Sequence, residues 1–159
     1  MDRPRHDRGQ TKGVLAVSQM IFINLPVADL DRSIAFYEAV GGVKNPMFSD
    51  DTAACMVLSD TIYVMLLTHA KWATFGDIPI IDTAKGAQVF LCLTREDKPA
   101  VDSFVEKAVA AGGSADPTPA QDYGFMYGRS YRDPDGHIWE NVWMDPQAVA
   151  DGPPDMQAA

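Results

Sequence analysis

One order of elements, strand, helix, double glycine and paired strands, occurs twice in this sequence, and that duplication restricts the fold more than any single motif does. In the first half, "IFINLPV" at 21–27 alternates as strands do. "ADLDRSIAFYEAVGG" then sets Leu30, Ile34, Tyr37 and Ala39 or Val40 at helical spacing, with Asp29 or Asp31 available as N-cap and Gly41-Gly42 as the stop. "AACMVLS" and "TIYVMLLT" read as a hairpin turning at Ser59-Asp60. In the second half, "AQVFLCLTRED" is a strand, "KPAVDSFVEKAVAAGG" a helix with Pro99 near its first turn and Gly112-Gly113 at its end, and "YGFMYGRSY" with "HIWENVW" a second hairpin. Sliding one half over the other places Phe22 on Phe90, Asn24 on Cys92, Leu25 on Leu93 and Asp29 on Asp97. Further along, Tyr63 falls on Ile138 and Met65 on Glu140, the offset having grown with a slightly longer second helix and turn.

Each helix can cover one face of its few strands, which leaves the other face to be closed by the partner module. The expected result is an α+β fold of two modules enclosing a cleft, and clefts at module interfaces favour small ligands. With 159 residues, 47% of them hydrophobic, the chain has enough apolar material for one domain. The expected division is a disordered basic arm at 1–19, a single domain at 20–145 and a flexible tail at 146–159. Within the domain, module one covers 20–70, a connector with a helical turn 71–86 and module two 87–145.

The net charge of −9 opposes a nucleic-acid surface, which needs clustered Lys and Arg. No run approaches the roughly 18 apolar residues of a membrane span, and the first residues lack the apolar stretch of a secretory signal, so a cytoplasmic protein is expected. Cys55 and Cys92 lie in apolar segments without C-x-x-C spacing and read as small buried hydrophobes. There is no phosphate-binding glycine loop, nucleophile elbow or zincin helix.

The stretch "RDPDGHIWENVWMD", 132–145, carries the chemical question. A tight turn leads into a strand with one carboxylate, Glu140, among tryptophans, and an ionised carboxylate there requires a partner or water. Pairing with Arg129 or Arg132 is the structural alternative to a functional role. Trp139 and Trp143 read as helix-facing core. His69, near Trp72, reads as a loop residue, with a general base as the alternative. Along 126–132, Tyr127, Arg129 and Tyr131 share one face and Met126, Gly128, Ser130 and Arg132 the other; the pattern leaves open which looks inward.

"LPVADLDRSIAFYEAVGG" and "RDPDGHIWE" resemble the opening and closing motifs of the vicinal oxygen chelate superfamily, the glyoxalase, bleomycin-resistance and extradiol-dioxygenase group, over about residues 20–145. The longer phrases resemble a bacterial glyoxalase-like branch. The resemblance implies two βαβββ modules curling into a cup-shaped mixed sheet, a homodimer, and a divalent metal held by one side chain from each of four strands. Carried over residue by residue, those four positions are Phe22, Met65, Phe90 or its immediate neighbours, with Gln88 reached only by a shift of two, and Glu140, so Glu140 is the only ligand retained. A lone carboxylate holds a divalent ion weakly, and no cofactor is expected beyond a weakly bound divalent metal.

The candidate ligand-binding set is Phe22, Asn24, Met65, Phe90, Tyr127, Arg129 and Glu140, with Glu140 the candidate catalytic residue. Two functions fit. One is a metal-independent module binding a small, partly apolar molecule. The other is a lyase or isomerase of glyoxalase type in which Glu140, its pKa raised by apolar neighbours, acts as base. The fold by itself does not choose between them.

Overall fold

A computed structural model describes residues 18–154. The expectation of a disordered basic arm falls almost wholly outside that range. The duplication takes the form of two sheets. Module one runs β1 (Ile21–Val27), α1 (Leu30–Ala39), β2 (Val43–Asn45), β3 (Ala53–Val57) and β4 (Ile62–Thr68). A short helix α2 (His69–Ala73) opens the connector. Module two runs β5 (Phe90–Thr94), α3 (Lys98–Ala110), β6 (Ser114–Ala115), β7 (Gln121–Asp122), β8 (Met126–Arg132) and β9 (Ile138–Met144). The strand orders are β1-β4-β3-β2 and β5-β9-β8-β6, with β7 also on β8. In each sheet the first strand pairs parallel with the last, and the remaining pairs are antiparallel. The internal alignment of the sequence reappears as register: Phe22 and Asn24 lie opposite Tyr63 and Met65, as Phe90 and Cys92 lie opposite Ile138 and Glu140.

The helix ends repeat as well. Asp29 accepts from Arg32 N at 2.9 Å and Asp97 from Ala100 N at 2.7 Å, so the two aligned aspartates are the two N-caps. After each helix the second glycine of the pair sits in a close approach. A Cβ at Gly113 would lie 2.4 Å from the Arg132 carbonyl oxygen, and one at Gly42 2.9 Å from that of Tyr37.

The two helix-covered faces share one core. Phe36 of α1 meets Tyr131 of β8 edge-on at 5.8 Å, and Tyr37 meets Trp139 of β9 at 6.1 Å. Val105 and Ala108 of α3 join the same cluster as Leu25, Val64 and Leu66. Tyr37 and Trp139 are each 1% exposed, and burying an aromatic side chain of this kind stabilises by about 1.5–3 kcal/mol.

The Asp133-Pro134-Asp135-Gly136 turn clasps the modules together. Asp133 accepts from Tyr37 Oη at 2.8 Å and from the backbone N–H groups of Asp135 and His137. Asp135 accepts from Ala28 N at 2.8 Å and Ser33 Oγ at 3.2 Å. The His137 ring nitrogen Nε2 lies 2.9 Å from Pro26 O, and Trp139 Nε1 donates to Tyr37 Oη at 3.0 Å. Burial pushes the Asp133 carboxyl up, against the opposing pull of His137 and the Tyr37 hydroxyl. The connector is tied to the same turn by Thr83, whose hydroxyl donates to Asp135 O at 2.7 Å.

The structure corrects one expectation, the burial of Cys92, and adds elements at two places that the pattern did not mark. The stretch from 146, read as a flexible tail, begins with helix α4 (Pro146–Asp151), capped by Asp145 accepting from Gln147 N. Cys92, read as buried, is exposed, whereas Cys55 is buried as expected. Strands β2, β6 and β7 have two or three residues each, too few for alternation to mark them in the sequence.

Candidate functional site

Strand alternation and the observed register divide each sheet into two faces. The helix side takes Ile23, Leu25 and Val27 of β1, Val64 and Leu66 of β4, Leu91 and Leu93 of β5, and Trp139 and Asn141 of β9. The opposite face of module one carries Phe22, Asn24, Tyr63 and Met65, and that of module two Phe90, Cys92, Ile138, Glu140 and Ser130. It is uncovered where the two first strands run: Phe22 is 51% and Phe90 49% exposed. Phe22 stacks on Tyr63 with ring centroids 4.7 Å apart, a flat aromatic surface beside Asn24 and Met65.

Glu140 is half-buried in the middle of β9, with Cys92 across on β5 and Ser130 across on β8. Among the described residues its carboxylate has neither an ion-pair nor a hydrogen-bond partner. Arg132 points to the carbonyls of Thr83 and Gly136. Arg129 pairs with Asp102 at 2.9 Å and Asp116 at 2.7 Å. Neither arginine therefore neutralises Glu140, and the structural ion pair weighed from the sequence is overturned. Shielding from solvent, then the Glu140 charge across the strand pair, raises the Cys92 thiol above its ordinary value. At neutral pH it is a thiol beside a carboxylate, not a thiolate nucleophile.

Five of the seven candidate ligand-binding residues, Phe22, Asn24, Met65, Phe90 and Glu140, thus share the uncovered side of their sheets. Tyr127 and Arg129 do not. They alternate with Gly128 and Ser130 onto the helix side, where Tyr127 Oη donates to Asp102 of α3 at 2.8 Å alongside Arg129. The inward set of β8 is Met126, Gly128, Ser130 and Arg132. Trp139 and Trp143 lie on the helix side as expected, with the Lys98 ammonium 5.5 Å from the Trp143 ring. His69 starts α2 and is exposed, lining a concavity of about 520 Å³ with Trp72, Asp77 and Ile78 under the connector, away from Glu140. Cys92, Tyr63 and Ser130 belong to the open face and were not singled out from the sequence; the alignment of Cys92 on Asn24 was the available signal.

The donor set decides what a metal would meet here. Of Phe22, Met65, Phe90 and Glu140, the phenyl rings supply no ligand atom, Met65 offers a soft thioether and only Glu140 an oxygen; Asn24, Cys92 and Ser130 on the same face add an amide oxygen, a thiol and a hydroxyl. Among the described residues no group of three or more His, Cys, Asp or Glu side chains converges to hold an ion. Phe22, Met65, Phe90 and Glu140 by themselves form no chelating set, because a single carboxylate is the only hard ligand among them.

No helix among the described residues is long and apolar enough to cross a membrane. No curated protein sequence matches the chain. Among solved structures, a hypothetical protein from S. aureus is 26% identical, with 80% of this chain and 95% of that one covered and a TM-score of 0.66. A glyoxalase/bleomycin resistance protein/dioxygenase family enzyme from Burkholderia phytofirmans PsJN is 20% identical over 80% and 99%, TM-score 0.65. The fosfomycin resistance protein FosX from Listeria monocytogenes is 18% identical over 80% and 91%, TM-score 0.57; at that identity these last two likenesses concern the fold. Residues 19–141 match the Glyoxalase/Bleomycin resistance protein/Dioxygenase superfamily, and with its paired βαβββ modules the chain belongs to that superfamily.

Proposed function

We propose that the uncovered face bearing Phe22, Asn24, Met65, Phe90 and Glu140 binds a small, mostly apolar molecule without a chelated metal, in a cup that a second copy of the chain helps to close. One observation carries the reading. Of the four positions where the superfamily places metal ligands, three hold Phe22, Met65 and Phe90, and the fourth is a carboxylate with no protein partner among the described residues. A ligand with a flat or branched apolar body suits the Phe22–Tyr63 stack, and a hydrogen-bond donor or cationic group on it suits Glu140. The outer edges of β1 and β5 are end positions in their sheets, and exposed Met20, Ile21, Phe22, Val89 and Phe90 line them. Unpaired apolar edges of this kind favour association with another copy.

Elemental analysis of the purified protein, followed by nickel, zinc and manganese titration, tests the relined pocket. The expected result is no stoichiometric metal; submicromolar binding lost in Glu140→Gln would overturn it. Native mass spectrometry of protein purified from its own host would then identify the bound molecule. A second reading, a lyase or isomerase using Glu140 as base with or without a weakly held divalent ion, draws support from the same carboxylate, which has no protein partner among the described residues. Turnover of the hemithioacetal of methylglyoxal and glutathione, abolished in Glu140→Gln, would favour it over binding alone.

A further inference from the structure

A second cavity lies on the opposite side of the sheets from Glu140, between the modules. Its volume is about 300 Å³, at the lower end of what small-molecule sites occupy. Module one contributes Tyr37, Val40, Leu58 and Ile62; module two contributes Leu93, Arg95, Phe104, Tyr131 and Trp139.

Arg95 is the unusual wall. Its guanidinium gives Nε and Nη2 to a single acceptor, Asn141 Oδ1, at 2.9 and 2.7 Å, and lies flat on the Phe104 ring, 3.4 Å from its centroid. Two contacts thus fix its orientation, yet its remaining N–H groups meet no acceptor among the described residues. No carboxylate pairs with it there either, in a chain with 22 acidic residues. Burial consequently presses its pKa down. Arg95 is half-buried, and a partly desolvated guanidinium held in place without a counterion carries a cost that an arriving anion would lower.

Two further groups share the arrangement. Tyr131, 2% exposed, lies within the field of Arg95, and its hydroxyl makes no hydrogen bond among the described residues. Asn141, fully buried, spends its oxygen on Arg95 and leaves Nδ2 without a partner. Around this polar end the walls are aliphatic and aromatic.

We propose that this intermodule cavity is a second binding site, for a small monocarboxylate with an apolar body, held by the Arg95 guanidinium and the Tyr131 hydroxyl. A carboxylate accepts two parallel N–H bonds from guanidinium, which a halide or an alcohol does not. The site is independent of the uncovered face, so neither reading of Glu140 bears on it.

Calorimetric titration of the full chain with benzoate and hexanoate, with benzyl alcohol as the uncharged counterpart, tests the proposal. Saturable carboxylate binding is expected, with benzyl alcohol weaker by about tenfold or more. Arg95→Met should weaken benzoate by a similar factor. Because that variant also frees Asn141, Leu58→Trp provides a second test: it fills the cavity, leaves Arg95 and Asn141 in place, and should abolish binding while the thermal transition persists. Glu140→Gln should bind benzoate as the parent does. Absence of saturable carboxylate binding at millimolar concentration, equal affinity for benzyl alcohol, binding unchanged by Leu58→Trp, or loss in Glu140→Gln would each overturn the assignment.

Discussion

Tyr37 and Asp133 illustrate how much one hydrogen bond can carry when both partners are buried. The Tyr37 hydroxyl donates to Asp133 and accepts from Trp139, so Tyr37→Phe leaves an acceptor and a donor unpaired at once. A loss of about 1–3 kcal/mol in urea unfolding is expected, because the desolvated groups regain no partner. The Arg129 cluster behaves differently since water reaches it. Hydrogen bonds from Arg129, then Tyr127, hold the Asp102 carboxyl below its ordinary value of 3.8. A folded-state value below the unfolded one means the stabilisation is present above the ordinary value and is lost as pH falls through the depressed one. Asp102 is 43% exposed, so solvent screening limits the effect to below about 1 kcal/mol. Arg129→Met should accordingly flatten the acid limb of the melting temperature below about pH 4 while leaving ligand binding on the Glu140 face unchanged.

At the scale of elements, the duplicated glycines set a sharp expectation. Gly113→Ala pushes a methyl to 2.4 Å from the Arg132 carbonyl and 2.9 Å from the Phe36 ring, so strand β8 or helix α1 must shift. A destabilisation of about 1–3 kcal/mol by thermal melting is expected. Most long elements were legible because a period of 3.6 or 2 sustained over seven or more residues admits few readings: β1, α1, β4, α3, β8 and β9 all stand where the pattern puts them. What stayed illegible was short or tertiary in origin. Alternation along β8 separated Arg129 from Ser130 but could not say which faces the helix, since tyrosines and arginines suit either side; Asp102 and Asp116 decide it. Cys92 reads as core by composition and is exposed because no element among the described residues covers β5 on that side. Arg95 had no signal at all, its role arising from Phe104 on the helix that follows and from Asn141, 46 residues further on.

For the whole molecule, the uncovered aromatic edges predict association. Sedimentation at micromolar concentration should show a species of about twice the 17.3 kDa chain, and Phe22→Asp with Phe90→Asp should shift it to the monomer without lowering the melting temperature by more than about 1 kcal/mol equivalent. A monomeric parent would remove the second copy from the proposed cup. The Asp133–Gly136 turn has a further consequence for how the halves live together. It lends its carboxylates to residues of the other half, so neither half retains a complete interior when severed. Two polypeptides cut anywhere between Thr74 and Val89 should each be unstructured by circular dichroism, yet recover the native spectrum on mixing, and the intact protein should melt in a single calorimetric step.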